Sequence, residues 1–336
     1  MPVADYQCIR IAGCRCSINK RKQGDYTLAG TLDTFYKELD ALYTKGDLQQ
    51  IEAYLLAQRD AFSDDYPAHL GELIAVSNEM GSFYRSTSRY EKSLEAFGAA
   101  RDQIAQELGK NCTQYATVLN NMAGTYRLMG DYQGAVNLFL EAREIYLQAG
   151  DRNTYEFASV LNNLSQAYLH TGQYQEAITY LEEVLRMVKE MPDTDQDVAI
   201  TYNNLAALHR ASGNHEKAKE CAENAIMYFE KCADEENVHY AAGLNSLAGL
   251  LYAEQQYDRA LELYQKSADY TRRFFGENIE YGVTCRNMYW VYEQMGRRAD
   301  AIASLEMALE NFTRILGAEH ERTQAVADDL RRLQAK

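Results

Sequence analysis

The chain has 336 residues, with 34 Lys+Arg against 49 Asp+Glu and a net charge of −15. That balance argues against a nucleic-acid binder, because neutralising phosphates takes a surplus of Lys and Arg. Three prolines, where average usage gives roughly 17, disfavour a loop-rich or all-β protein and point to long helices, whose interiors reject proline.

The first 30 residues carry Arg10, Arg15, Lys20, Arg21 and Lys22 against Asp5 and Asp25, so this leader is +3 and residues 31–336 are −18. It lacks both the apolar periodicity seen downstream and the order of regions that marks a secretory signal. A flexible basic arm is expected over 1–30, with the folded unit over 31–336. No apolar run approaches the ~18 residues of a membrane span, so a cytoplasmic protein is expected. The seven cysteines (Cys8, Cys14, Cys16, Cys112, Cys221, Cys232, Cys285) are odd in number and scattered, which is no disulfide framework. Cys8, Cys14 and Cys16 cluster but lack a fourth ligand at metal-binding spacing, so no metal is expected.

Beyond the leader the chain repeats. LNNMAGTYRLMGDYQGAVNLFLEA (119–142), LNNLSQAYLHTGQYQEAITYLEEV (161–184), YNNLAALHRASGNHEKAKECAENA (202–225) and LNSLAGLLYAEQQYDRALELYQKS (244–267) align without a gap, and 77–100 and 285–308 fit the same frame. A weaker copy starts near Phe35. The residue opening the second half of each copy is Leu48, Tyr90, Tyr132, Tyr174, His215, Tyr257 and Arg298, at spacings of 42, 42, 42, 41, 42 and 41. Self-similarity at such a period is the mark of a stacked repeat. Within 119–142, Leu119, Met122, Ala123 and Tyr126 fall on one face of a helix, Gly130 and Asp131 end it, and Tyr132, Ala135, Val136, Phe139 and Ala142 form the apolar face of a second. Small residues recur where paired helices must approach: Gly81, Ala123, Ser165, Ala206 and Ala248 in first helices, Ala135, Ala177, Ala218, Ala260 and Ala301 in second ones. One hairpin cannot bury its own apolar faces, but stacked hairpins can. The expectation is therefore all-α: an elongated right-handed α-solenoid of about seven hairpins, first helices inside and second helices outside. A capping helix is expected at about 321–334.

Met122, Ala123, Tyr126, Gly130, Tyr132, Ala135 and Phe139 together resemble the signature of the tetratricopeptide repeat (TPR) family. The 41–42 residue period with LNN opening the first helix is similar to the kinesin-light-chain subtype, as are LGKNCTQYATVLNNMA (108–123) and LGAEH (316–320). The resemblance covers about 35–320 and implies protein or peptide binding along the inner groove. The chain departs from it at both ends: the first copy lacks the small residue and the Asn pair, and Tyr289 stands where the last copy should be small.

An asparagine ladder runs through the first helices: Asn120/Asn121, Asn162/Asn163 and Asn203/Asn204, with Asn245 and Asn287 beyond them and Asn78 before. Asparagine is a mediocre helix residue, and its amide can grip a peptide unit's C=O and N–H together. Two readings stand. The amides bind ligand, or they bond neighbouring helices and set repeat geometry. The first Asn of each pair is expected to point into the groove and the second to be shared with the next helix. Arg85, Arg127 and Arg210 recur one residue after the signature Tyr or His209, and Arg286 replaces the first Asn of the last copy. They form a positive stripe suited to an acidic peptide or a C-terminal carboxylate, or each pairs with a neighbouring acid. Trp290, the single tryptophan, is a ligand anchor or fills the end of the core. Most of the 26 tyrosines, among them Tyr84, Tyr90, Tyr126, Tyr168, Tyr252 and Tyr292, read as core packing.

No nucleophile elbow, phosphate loop or zinc-helix motif is present. His69, His170, His209, His215, His239 and His320 form no catalytic pattern. A non-enzymatic adaptor or scaffold without a cofactor is expected, a monomer or weak homo-oligomer that binds a peptide or protein and neither nucleic acid nor membrane. The alternatives are a peptide-responsive regulatory solenoid and a structural protein that stacks through its end repeats.

Overall fold

The computed structural model describes residues 26–64, 68–232 and 237–335. These contain fifteen helices and no strand among the described residues. In order they are α1 (Tyr26–Lys45), α2 (Leu48–Asp64), α3 (Leu70–Ser86), α4 (Tyr90–Glu107), α5 (Thr113–Leu128), α6 (Tyr132–Ala149), α7 (Tyr155–Thr171), α8 (Tyr174–Glu190), α9 (Asp195–Ala211), α10 (His215–Lys231), α11 (Val238–Ala253), α12 (Tyr257–Phe275), α13 (Ile279–Gln294), α14 (Arg298–Leu316) and α15 (Glu321–Ala335). The first fourteen are the two helices of seven repeats, and α15 is the terminal helix. The start of α1 falls inside the span expected as leader. The remaining leader residues, with Cys8, Cys14, Cys16 and the five basic side chains, lie outside the described residues.

Each repeat turns on one left-handed residue: Gly46, Gly130, Gly172, Gly213 and Gly296 in five copies, Ser88 (φ 58°) and Gln255 (φ 61°) in two. The next N–H reaches back to a carbonyl five residues earlier, as in Asp131 to Tyr126 (3.0 Å), Asn214 to His209 (2.8 Å) and Arg297 to Tyr292 (2.9 Å). That 6→1 closure satisfies the end of the first helix and redirects the chain within two residues. Asp131 and Asn214 then accept the N–H of Gly134 and Lys217, capping the second helix.

The small positions are the points of closest approach. Ala123, Ala135, Ala177, Ala218, Ala248, Ala260 and Ala301 have no exposed surface. Ser93 replaces the second-helix alanine in the second copy and donates to the Gly81 carbonyl at 2.7 Å. In the last copy the first-helix small position belongs to Tyr289, which is fully buried. Its hydroxyl donates to Glu293 (3.0 Å) and receives Arg332 of α15.

The described residues divide into two compact units, 26–180 and 181–335, with the division inside α8. In the N-terminal unit a core runs from Phe35 and Leu39 through Ile51 and Leu55 to Phe83. In the C-terminal unit one core runs from Ala199 to Val326 and Leu333 of α15. Within each unit, first helices of successive repeats touch each other directly: α3 with α5 and α5 with α7, then α9 with α11 and α11 with α13. That is the face on which the asparagines sit.

Candidate functional site

The asparagines form rungs between successive first helices in the N-terminal unit. Asn121 Nδ2 donates to Asn78 Oδ1 at 2.8 Å, and Asn163 Nδ2 donates to Asn120 Oδ1 at 3.1 Å. Each rung joins the second Asn of one repeat to the first position of the repeat before it. Asn120 is buried. Asn162 and Asn204 also carry polar contacts of their own.

The C-terminal unit breaks this pattern. Ser246 stands where a rung to Asn203 would need a second Asn, and its hydroxyl is too short to replace an amide. Asn203 Oδ1 is buried without a donor, above Gly243 of α11. Asn245 donates through Nδ2 to Thr284 Oγ1 at 2.8 Å, which leaves its own Oδ1 buried without a donor. Asn287 does not reach it and lines a cleft instead. Buried amide oxygens are almost always met by a donor; Gln103 and Asn311, on second helices, have unmet ones too, but among the described first-helix asparagines it is Asn203 and Asn245 whose oxygens are unmet.

The arginine positions occupy different surroundings. Arg85 donates to the Asn121 carbonyl at 3.1 Å and packs 5.6 Å from the Phe97 ring, tying α3 to α5. Arg127 is largely buried, its Nε meets no acceptor, and burial lowers its pKa. Arg210 is exposed. Arg286 pairs with Asp329 of α15 at 2.9 Å. This last contact spans the same 43-residue interval as the asparagine rungs. Helix α15 therefore sits in the register of an eighth first helix, with an acid where the rung would be.

A cleft of about 310 Å³ opens in the C-terminal unit between Tyr252, Tyr264, Asn287 and Trp290. Tyr252 packs against the core, partly buried, but does not hold the signature slot expected of it. Leu251, 1% exposed, fills the signature slot, which leaves Tyr252 at the position held by Arg127 and Arg210 in other copies. The Tyr264 hydroxyl lies beneath Gly249, 3.6 Å from where a Cβ would stand, and burial pushes its pKa up to about 12. Trp290 packs against the core, 4.6 Å from the Tyr289 ring, and also lines the cleft.

No helix of the described residues is long and apolar enough to cross a membrane. Among them, no group of three or more His, Cys, Asp or Glu could hold a metal ion. Cys112, Cys221 and Cys285 are free thiols.

Hairpins stacked in one register, with an internal polar ladder and a terminal cap, define an α-helical repeat protein. The chain belongs to the tetratricopeptide repeat family, whose model matches residues 72–148, 156–232 and 239–314. Among solved structures it is similar to the kinesin-light-chain-like TPR repeats of P. anserina, at 21% identity over 60% of this chain and 95% of that one, with a TM-score of 0.51. It is also similar to a Rap protein complexed with competence and sporulation factor (15% identity, 92% and 97% covered, TM-score 0.57). A third is NprR in complex with its cognate peptide NprX (16%, 99% and 95%, TM-score 0.55). No curated protein matches the chain in sequence.

Proposed function

We propose that the chain is a non-catalytic interaction module that holds an extended peptide, or an extended segment of a partner protein, along its first-helix face through asparagine amides. The observation that carries this reading is the pair of buried, unmet oxygens on Asn203 and Asn245. An acceptor buried without a donor costs roughly 1–3 kcal/mol, and a turn of either side chain toward the groove lets a peptide N–H meet it and relieve that cost. The Rap and NprR structures resemble this chain over most of its length, the one complexed with competence and sporulation factor and the other with its cognate peptide NprX, which supports the same use of the fold. Free, scattered thiols suit a cytoplasmic protein. Helix α15 gives the last repeat a polar outer surface, which favours a monomer or weak homo-oligomer over stacking through that end. The test is selection of a displayed random-peptide library on the intact chain. Enriched peptides are expected to bind the wild type and to be lost on Asn203→Ala/Asn245→Ala at unchanged helicity. No enrichment, or equal binding by the variant, would overturn it.

A regulatory reading, in which the peptide changes the protein's conformation, is favoured only by the likeness to NprR and Rap. Small-angle scattering with and without a selected peptide separates the two.

A further inference from the structure

We infer that the cleft between α11 and α13 is an anchor pocket for one large uncharged side chain of the bound peptide, and that ligand recognition is concentrated in the C-terminal unit. This rests on the peptide-binding reading above and assigns it a place and a chemistry.

Register shows how the cleft arises. The position four residues beyond the first ladder residue is Ser82, Gly124, Gln166, Ala207, Gly249 and Trp290 in successive repeats. Five are small or polar, and the last is the chain's single tryptophan. Gly249 and Trp290 therefore face one another across adjacent first helices, a gap beside a wall. On α11 the residues Asn245, Gly249 and Tyr252 stand at i, i+4 and i+7, one stripe of one helix. The unmet Asn245 oxygen is thus one turn from the gap.

Nothing in the fold requires glycine at 249. It lies inside a helix, where glycine is a poor residue, and it is not among the glycines with positive φ. An added Cβ would meet only the Tyr264 hydroxyl, at 3.6 Å, an ordinary contact. Gly81 and Gly282 differ, since an added Cβ at either would lie within 2.7 Å of a ring or amide atom. What glycine at 249 does provide is access from the groove to Tyr264.

The lining sets the ligand's chemistry. Three rings and one amide, with no carboxylate, form the walls. The Arg332 guanidinium already lies 5.9 Å from the Trp290 ring, and Arg210 acts electrostatically on Tyr264. Glu293, which acts on Tyr252, and Asp329 are both met by Arg332, at 3.8 and 3.5 Å, so a cationic side chain finds no carboxylate left for it, although aromatic walls alone would suit one. A large apolar or aromatic side chain gains from leaving water there, while its flanking main-chain N–H groups meet the amide oxygens of the same face.

The single tryptophan makes the test direct, because Trp290 fluorescence reports on the cleft wall. The intact chain is titrated with acetylated, amidated pentapeptides Ala-Ala-X-Ala-Ala, with X as Phe, Leu, Lys or Glu. The Phe and Leu peptides are expected to give saturable changes in emission, and the Lys and Glu peptides none. Gly249→Leu fills the cleft and is expected to abolish the response while raising the melting temperature, which separates blockage from misfolding. Asn245→Ala should weaken the Phe peptide by about 5–10-fold, the loss of one hydrogen bond, and Asn120→Ala should leave it unchanged. No saturable response to Phe or Leu, or an undiminished response in Gly249→Leu, would overturn the pocket. Library-selected peptides that bind Gly249→Leu normally but fail on Asn120→Ala would leave the groove reading standing and this assignment refuted. If no peptide binds the wild type at all, both fall.

Discussion

Gly81→Ala tests how tightly the repeat interface is built. A Cβ on Gly81 would lie 2.5 Å from Cδ1 and Cε1 of Phe97 and 2.7 Å from Cγ. Carbon atoms pack at about 3.5–4.0 Å, so the ring must retreat by about 1 Å. It has little room, since Phe97 has no exposed surface. The backbone there is pinned as well, because Ser93 Oγ donates to the Gly81 carbonyl and lies 3.1 Å from Thr125 Oγ1. Overpacking of this kind costs about 1–3 kcal/mol, and alanine's better helix propensity returns about 1 kcal/mol. A net loss of up to about 2 kcal/mol is expected. The third copy holds Ala123 and Phe139 at the same two positions, both without exposed surface, so a wider spacing is attainable in this fold. Stacked repeats lose stability locally, and hydrogen exchange by mass spectrometry is the fitting assay. Faster exchange is expected in α3, α4 and α5, with α13 and α14 unchanged. Gly81→Ala/Phe97→Leu should recover most of the loss, since Leu181 and Leu305 already occupy that position elsewhere. Slower exchange in α3 on Gly81→Ala alone would refute the reasoning, because it would mean that the helices separate freely.

Ser88 and Gln255 hold left-handed conformations where five other repeats use glycine, so Ser88→Gly and Gln255→Gly should each stabilise by about 0.5–1 kcal/mol, read as higher melting temperatures. Burial raises the pKa of Asp197. The folded state therefore holds that proton more tightly than the unfolded chain, so the group favours folding at low pH. This contribution is lost as pH rises through the window between its unfolded and folded values. Asp197→Asn should accordingly raise the melting temperature at pH 7 and leave it nearly unchanged at pH 3. Asp329→Ala leaves Arg286 without its 2.9 Å partner and should speed exchange in α15 and α13 while sparing α11.

The repeat was legible because its positions are filled by a narrow set of residues: alanine where helices touch, tyrosine where chain direction reverses, glycine at the left-handed turn. What each asparagine does was not legible, because a rung depends on the residue one repeat away. Asn78 and Asn120 find Asn121 and Asn163, whereas Asn203 finds Ser246 and Asn245 turns to Thr284. In the N-terminal unit the second Asn is shared with the neighbouring helix as expected, but the first Asn is its acceptor there instead of pointing into the groove: Asn78 receives Asn121 and Asn120 receives Asn163. The arginine stripe read alike along the sequence, but Arg85 caps a carbonyl and Arg286 pairs with α15. The cleft was hidden for a similar reason, since Tyr252 and Tyr264 of one repeat and Asn287 and Trp290 of the next line it together. The misplacement of Tyr252 by one residue concealed its third wall.

The most direct measurement is calorimetric titration of one library-selected peptide into three forms of the protein: wild type, Asn203→Ala/Asn245→Ala and Asn120→Ala/Asn163→Ala. In the first variant, loss of the Asn245–Thr284 bond is offset by removal of two unmet oxygens. Its affinity is expected to fall about tenfold or more with little change in melting temperature. The second removes a rung, so it should lose stability and keep its affinity. The reverse pattern, with affinity carried by Asn120 and Asn163 and untouched by Asn203 and Asn245, would contradict a binding face centred on the open end of the ladder.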